Sequence, residues 1–174
     1  MLHQTDFTFS EDLMPREEGA TRYIVLHHSE VATPHTAANI HHWHQNKGWA
    51  GIGYHYFIDK EGEVYECRPR QMVGAHVYGH NHESIGVCFE GDFNKEQLSE
   101  KQETAAVKLL SLLSLAYPVA QLCRHSDFNN AKHCPGENFP FERIKLRIME
   151  CVWNMLGINT NSNISSSHPQ AFYT

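Results

Sequence analysis

Tyr23-Ile24-Val25-Leu26-His27-His28-Ser29 is a short apolar run that stops abruptly at two histidines, and Gln121-Leu122-Cys123-Arg124 leads in the same way into His125. Short runs of this kind, bounded by polar and turn-forming residues, read as strands. Between and around them strand and helix signals alternate. His35 to Lys47 repeats Ala37, Ile40, Trp43 or His44, and Lys47 at helical spacing. Tyr54 to Ile58, the turn Asp59-Lys60-Glu61-Gly62 and Glu63 to Cys67 spell a hairpin, and Ser84 to Glu90 a further strand. Ser99-Glu100-Lys101-Gln102 is a capping box ahead of one apolar face, Ala105, Ala106, Leu109, Leu110, Leu113 and Ala116, that Pro118 brings to an end. Glu142 to Leu156 reads as the last helix. This order predicts an α/β fold: a mixed central β-sheet with helices packed on its faces, in a single domain. Sites in such sheets gather in the loops beyond the strand ends, which is where His27 and His125 fall.

The 174-residue chain is long enough for one core without covalent staples. Residues 1–21 are polar and irregular and read as an N-terminal arm, 22–157 as the catalytic domain, and the Asn/Ser-rich 158–174 as a flexible polar tail. No apolar run reaches the ~20 residues of a membrane span; the longest, Leu109 to Ala116, is broken by Ser111 and Ser114. The first residues have neither the basic nor the apolar region of a signal peptide. A net charge of −6 argues against nucleic acid as a partner, and with it against a nuclease-type reading of His80, Asn81 and His82. The 5 cysteines suggest reduced thiols or a metal ligand rather than a disulfide framework. The oddest number is 14 histidines, as many as lysine and arginine together. His41, His42 and His44 crowd one helix; His44 is expected against the sheet, and His41 and His42 in solvent.

Imidazole and thiolate are the ligands zinc prefers, and three protein ligands with one open position is the catalytic arrangement. His27, His125 and Cys134 could supply such a set, because the loop from His125 to Cys134 is rich in turn-forming residues that can bring its ends together. Each residue alone is an ordinary polar loop residue.

Five motifs occur in order: Tyr23 to Ser29; Gly48-Trp49 with Gly53-Tyr54-His55; Gly74-Ala75-His76 with Asn81; Ser84-Ile85-Gly86-Val87; and His125 with Lys132 and Cys134-Pro135-Gly136. Together they resemble the type-2 N-acetylmuramoyl-L-alanine amidases, the family of phage lysozyme-type amidases and peptidoglycan recognition proteins, over about residues 22–155. The resemblance implies His27, His125 and Cys134 as zinc ligands, Tyr54 and Lys132 as catalytic residues, and His76 and Asn81 beside the substrate. The His125–Cys134 loop is one residue longer than in some members. His28 is adjacent to His27, and a register one residue along would exchange them.

The implied reaction is hydrolysis of the amide between N-acetylmuramic acid and L-alanine in peptidoglycan. Zinc would polarise the carbonyl and acidify its water, with Lys132 stabilising the oxyanion, Tyr54 hydrogen-bonding the attacking water or the oxyanion, and the two together handling the proton. The cytosolic recycling branch carries Glu where this chain has Cys88, and Asp in place of Cys134. Glu90 is held in reserve as a general base, against a plainer reading as a strand-end charge. The expected protein is a lytic enzyme of endolysin or autolysin type. It would bind peptidoglycan or muropeptides without membrane insertion and reach the wall after release through a holin or lysis, or as an exported form lacking its signal. The alternatives are a non-lytic muropeptide binder and a cytosolic recycling enzyme on the same fold.

Overall fold

The computed structural model describes residues 1–131 and 133–158. Lys132 and residues 159–174 of the expected tail lie outside the described residues. The chain forms β1 (Leu2–Gln4), β2 (Tyr23–His28), α1 (Ala37–Asn46), β3 (Tyr56–Ile58), β4 (Val64–Glu66), β5 (Ser84–Phe89), α2 (Glu100–Ala116), β6 (Gln121–Arg124) and α3 (Phe141–Met155). The strands make one mixed sheet in the order β1-β4-β3-β5-β2-β6. β2 runs parallel to both β5 and β6, and β3–β4 is the antiparallel hairpin. No helix among the described residues is long and apolar enough to cross a membrane.

Side-chain alternation along the central strands divides the core into two layers. Ile24, Leu26, Ile85, Val87 and Phe89 face α2 and α3, where Leu110, Leu113, Ile144 and Ile148 close over them. On the opposite face Phe57 and Cys88 pack with Ile52 and with Ala37 and Ile40 of α1. Both long connections into these layers start with capping boxes. Ser99 caps α2 through Gln102, and Thr36 caps α1 through Asn39, each side chain accepting from a backbone N–H that the first turn leaves without a partner.

The N-terminal residues are not an arm standing apart from the domain. β1 adds a parallel edge strand to β4, with Leu2 opposite Val64 and Gln4 opposite Glu66. Further on, Phe7 stacks on His41 at 4.5 Å between centroids, and Val73 N–H donates to Met14 O at 2.8 Å. A strand of three residues leaves no periodicity to read, since its pairing is carried by backbone groups. The same contact overturns the solvated placement of His41, which is buried, while His42 is exposed and His44 buried as expected. Phe7 and Phe9 from a distant part of the chain cover His41.

Candidate metal centre and active site

β2 and β6 lie side by side and parallel, so their C-terminal ends deliver His27 and His125 to one place. Cys134 returns to it at the end of the following loop. The ligand atoms of His27, His125 and Cys134 all lie within 4.8 Å of one another, and Cys134 Sγ stands 3.7 Å from His27 Nδ1. Nitrogen and sulfur donors on one tetrahedral zinc are separated by roughly 3.6 Å, given bond lengths of ~2.0–2.3 Å. The His27–Cys134 pair matches that spacing, and the trio, spread over no more than 4.8 Å, can close on a single ion with small side-chain adjustments. His27 and Cys134 are buried and His125 is half-buried, which leaves one side of the set open.

Strand alternation puts His27, and not the adjacent His28, in this cluster. His28 points into the layer under α2 and α3, where its Nδ1 accepts from Phe93 N–H at 3.2 Å, while its own N–H donates to Cys134 Sγ at 3.4 Å. Burial pushes the His27 pKa well below the ordinary imidazole value, and the neighbouring His125 and His28 add to this. A neutral imidazole with a free lone pair is the form a metal needs.

Tyr54 packs its ring 5.1 Å from that of His27. Its pKa is raised well above the usual phenol range, first by burial and then by Cys88 and Cys134. The Tyr54 phenol hydrogen-bonds the Cys88 thiol, which burial keeps protonated. Cys88 pairs with His27 in the sheet, so the position that carries Glu in the recycling branch holds a neutral sulfur here.

Glu90 sits elsewhere. Its carboxylate accepts from His35 N–H at 3.1 Å and from Lys60 N–H at 2.9 Å, beside the hollow between α1 and β3 rather than beside the trio. A buried carboxylate holding two backbone donors is a structural clamp. Glu90→Gln should cost stability, about 1–3 kcal/mol, because the new amide NH2 meets one of those N–H groups. Zinc content should stay the same. Denaturant unfolding and metal analysis check this, and an inactive variant with normal stability would restore Glu90 as general base.

His76 and Asn81 are brought close to the centre, but by hydrogen bonds that turn them inward. Asn81 Oδ1 accepts from both His76 N–H at 2.8 Å and Val77 N–H at 2.9 Å, which holds the loop. His76 is buried, and its Nδ1 lies 3.0 Å from His27 Nε2. Lys132, the remaining expected catalytic residue, lies outside the described residues.

A cleft of about 390 Å³ opens over the centre, lined by Trp43, Trp49, Tyr54, His76, His125 and Cys134. It continues past Cys134 into a second hollow of about 380 Å³ bordered by Glu30, Asn94 and Glu137. The hollows of about 600 and 680 Å³ elsewhere on the surface contain none of the trio, so size alone would point away from the chemistry.

Two imidazoles and a cysteine sulfur at the open end of a mixed sheet, with a protonated phenol alongside, form a three-donor cluster of the kind that could hold a metal ion. The family model for N-acetylmuramoyl-L-alanine amidase matches residues 17–137, and the chain belongs to that family. Among solved structures it is similar to the endolysine N-acetylmuramoyl-L-alanine amidase LysCS from Clostridium intestinale URNW. That pair is 35% identical with a TM-score of 0.78, over 86% of this chain and 95% of the other. The endolysin of Enterobacteria phage K11 is 35% identical over 102 residues, 56% of this chain and 67% of its own length. Peptidoglycan-recognition protein SC2 of Drosophila melanogaster is 40% identical over 97 residues, 51% of this chain and 53% of its own length.

Proposed function

We propose that the protein is a zinc-dependent N-acetylmuramoyl-L-alanine amidase of lytic type. The observation that carries the reading is the convergence of His27, His125 and Cys134 on one point with spacing suited to a single zinc. When bound there, zinc supplies a Lewis acid that polarises the amide carbonyl and acidifies water at neutral pH.

The chain's own groups do the rest. Tyr54, kept protonated by burial, donates a hydrogen bond to the oxygen that becomes negative as the carbonyl carbon turns tetrahedral. Such a donor acts more strongly on that state than on the planar amide. Lys132, assigned from the family resemblance, brings a cation to the same oxygen. Trp43 and Trp49, 39% and 43% exposed, offer flat apolar faces at the cleft rim for the sugar–peptide substrate. A thiol at Cys88 and a thiolate-type ligand at Cys134 favour action on wall polymer over recycling of soluble fragments. Retention of the complete ligand trio favours an enzyme over a binder.

The test is release of new L-alanine amino termini from purified sacculi, with zinc measured on the same preparation. Tyr54→Phe should keep its zinc and lose about 10²-fold in turnover, the scale of one oxyanion donor. An unchanged turnover would remove Tyr54 from the reaction. Cleavage of soluble anhydromuropeptide with intact sacculi left untouched would favour the recycling reading instead.

A further inference from the structure

We propose that His76 is a positioning residue of the metal centre, fixing the tautomer and orientation of His27 through a hydrogen-bond chain that ends on a backbone carbonyl. The inference rests on the zinc reading above and adds a role for residues outside the ligand set.

The direction of every bond in the chain follows from its last member. The His80 carbonyl can only accept, so the Ser84 hydroxyl, 2.7 Å away, donates to it. Ser84 Oγ is then free to accept from His76 Nε2–H at 3.3 Å. With its proton on Nε2, His76 presents the Nδ1 lone pair, which accepts from His27 Nε2–H at 3.0 Å. His27 is left with an unprotonated Nδ1, the atom that stands 3.7 Å from Cys134 Sγ. The chain thus selects Nδ1 as the metal-binding nitrogen of His27 and blocks rotation of its ring. Partners of this kind commonly hold metal-bound imidazoles.

The His76 ring sits in a slot made for it by two glycines. A Cβ on Gly86 would lie 2.6 Å from His76 Cγ, and one on Gly74 would lie 2.5 Å from His76 Cδ2. Gly86 interrupts an otherwise fully buried strand, where glycine normally weakens the element and marks a close approach. The floor of the slot is fixed as well. His55 Nδ1 accepts from Gly86 N–H at 2.9 Å and its Nε2–H donates to Met72 O at 2.9 Å. Two of the sequence motifs, Gly74-Ala75-His76 and Ser84-Ile85-Gly86-Val87, therefore meet in one device beneath His27.

Zinc affinity, measured on the full chain by competition with a chromophoric chelator, tests the proposal without reference to activity. His76→Leu should bind zinc about 10–100-fold more weakly than the native chain. His76→Asn, whose carboxamide oxygen stands about where Nδ1 stood, should recover most of that loss. Thermal unfolding of the metal-free variants serves as the control for fold. Ser84→Ala, which removes the hydroxyl acceptor of Nε2–H and leaves only the Ser84 carbonyl, should weaken binding by a smaller factor, and it carries the test alone should the leucine variant not fold. Unchanged affinity in Ser84→Ala and in a folded His76→Leu overturns the proposal while leaving the zinc reading intact. A native chain that binds no zinc overturns both.

Discussion

Cys134→Ala is expected to abolish zinc binding and to lower release of L-alanine amino termini from sacculi by at least ~10³-fold. A partner that only supports a metal ligand is worth about 10–100-fold in affinity, and loss of a direct ligand must exceed that. The cysteine is also the one member of the trio that brings a formal negative charge; without it the ion faces two neutral imidazoles. Cys134 is buried but small, and its removal also frees the N–H of His28 that donates to its sulfur. Those losses should reduce stability modestly and leave the fold intact, so circular dichroism separates ligand loss from unfolding. Cys134→Ser, which keeps the shape with a harder donor, should fall between native and alanine variants. Full activity with zinc retained in Cys134→Ala would end the assignment of this residue as a ligand.

The clustering of His27, His125 and Cys134 was legible in the sequence only in part. His27 and His125 terminate strand-type runs, and parallel neighbouring strands bring such ends together. Tyr54 and Cys134 entered through motifs whose order matched a known family. Other features depend on partners far along the chain. His41 is buried by Phe7 and Phe9, more than thirty residues away, and no pattern on the helix itself records that cover. β1 is three residues long and joins the sheet through its backbone. His76, expected beside the substrate, does line the cleft, but its hydrogen bond to His27 was not legible. The available signal was Gly86, a glycine inside a strand, whose missing side chain makes room for the ring.

The histidine excess has a physical explanation of the same long-range kind. Among the described residues, four histidines outside the cluster use Nδ1 to accept a backbone N–H: His28 from Phe93, His41 from Ile52, His44 from Gly53 and His55 from Gly86. Most of these amides lie in irregular segments around the cleft, where sheet and helix ladders cannot satisfy them. A neutral imidazole is a compact acceptor for the purpose, and its second nitrogen can donate elsewhere, as His55 does to Met72 and His41 to Thr8. Composition could register the excess but could not separate candidate ligands from amide acceptors, since both use an imidazole lone pair.

Acid should therefore unfold the protein well before its carboxylates are titrated. Burial lowers the pKa of His44 to about 4 and that of His55 to about 3, and it depresses His28 and His41 in the same direction. Protonating Nδ1 would also set an N–H against an N–H. In the unfolded chain these imidazoles titrate near ~6.5. Between the two values the unfolded state binds more protons than the folded one, so stability is full above about pH 6.5 and falls as pH drops towards the folded values. Each such histidine contributes a slope of about 1.4 kcal/mol per pH unit, and His44 and His55 together about 3. By pH 4.5 the loss amounts to roughly 5 kcal/mol, comparable with the whole stability of an ordinary domain. Urea unfolding in excess chelator at pH 7, 6 and 5, with metal release thereby excluded, should give midpoints that fall steadily. His44→Asn, which keeps an acceptor for Gly53 N–H without a titrating group, should flatten the slope by about 1.4 kcal/mol per pH unit. A native chain equally stable at pH 7 and pH 5 would mean that these rings accept their protons in the folded state, and that the amide bonds at Nδ1 do not hold them neutral.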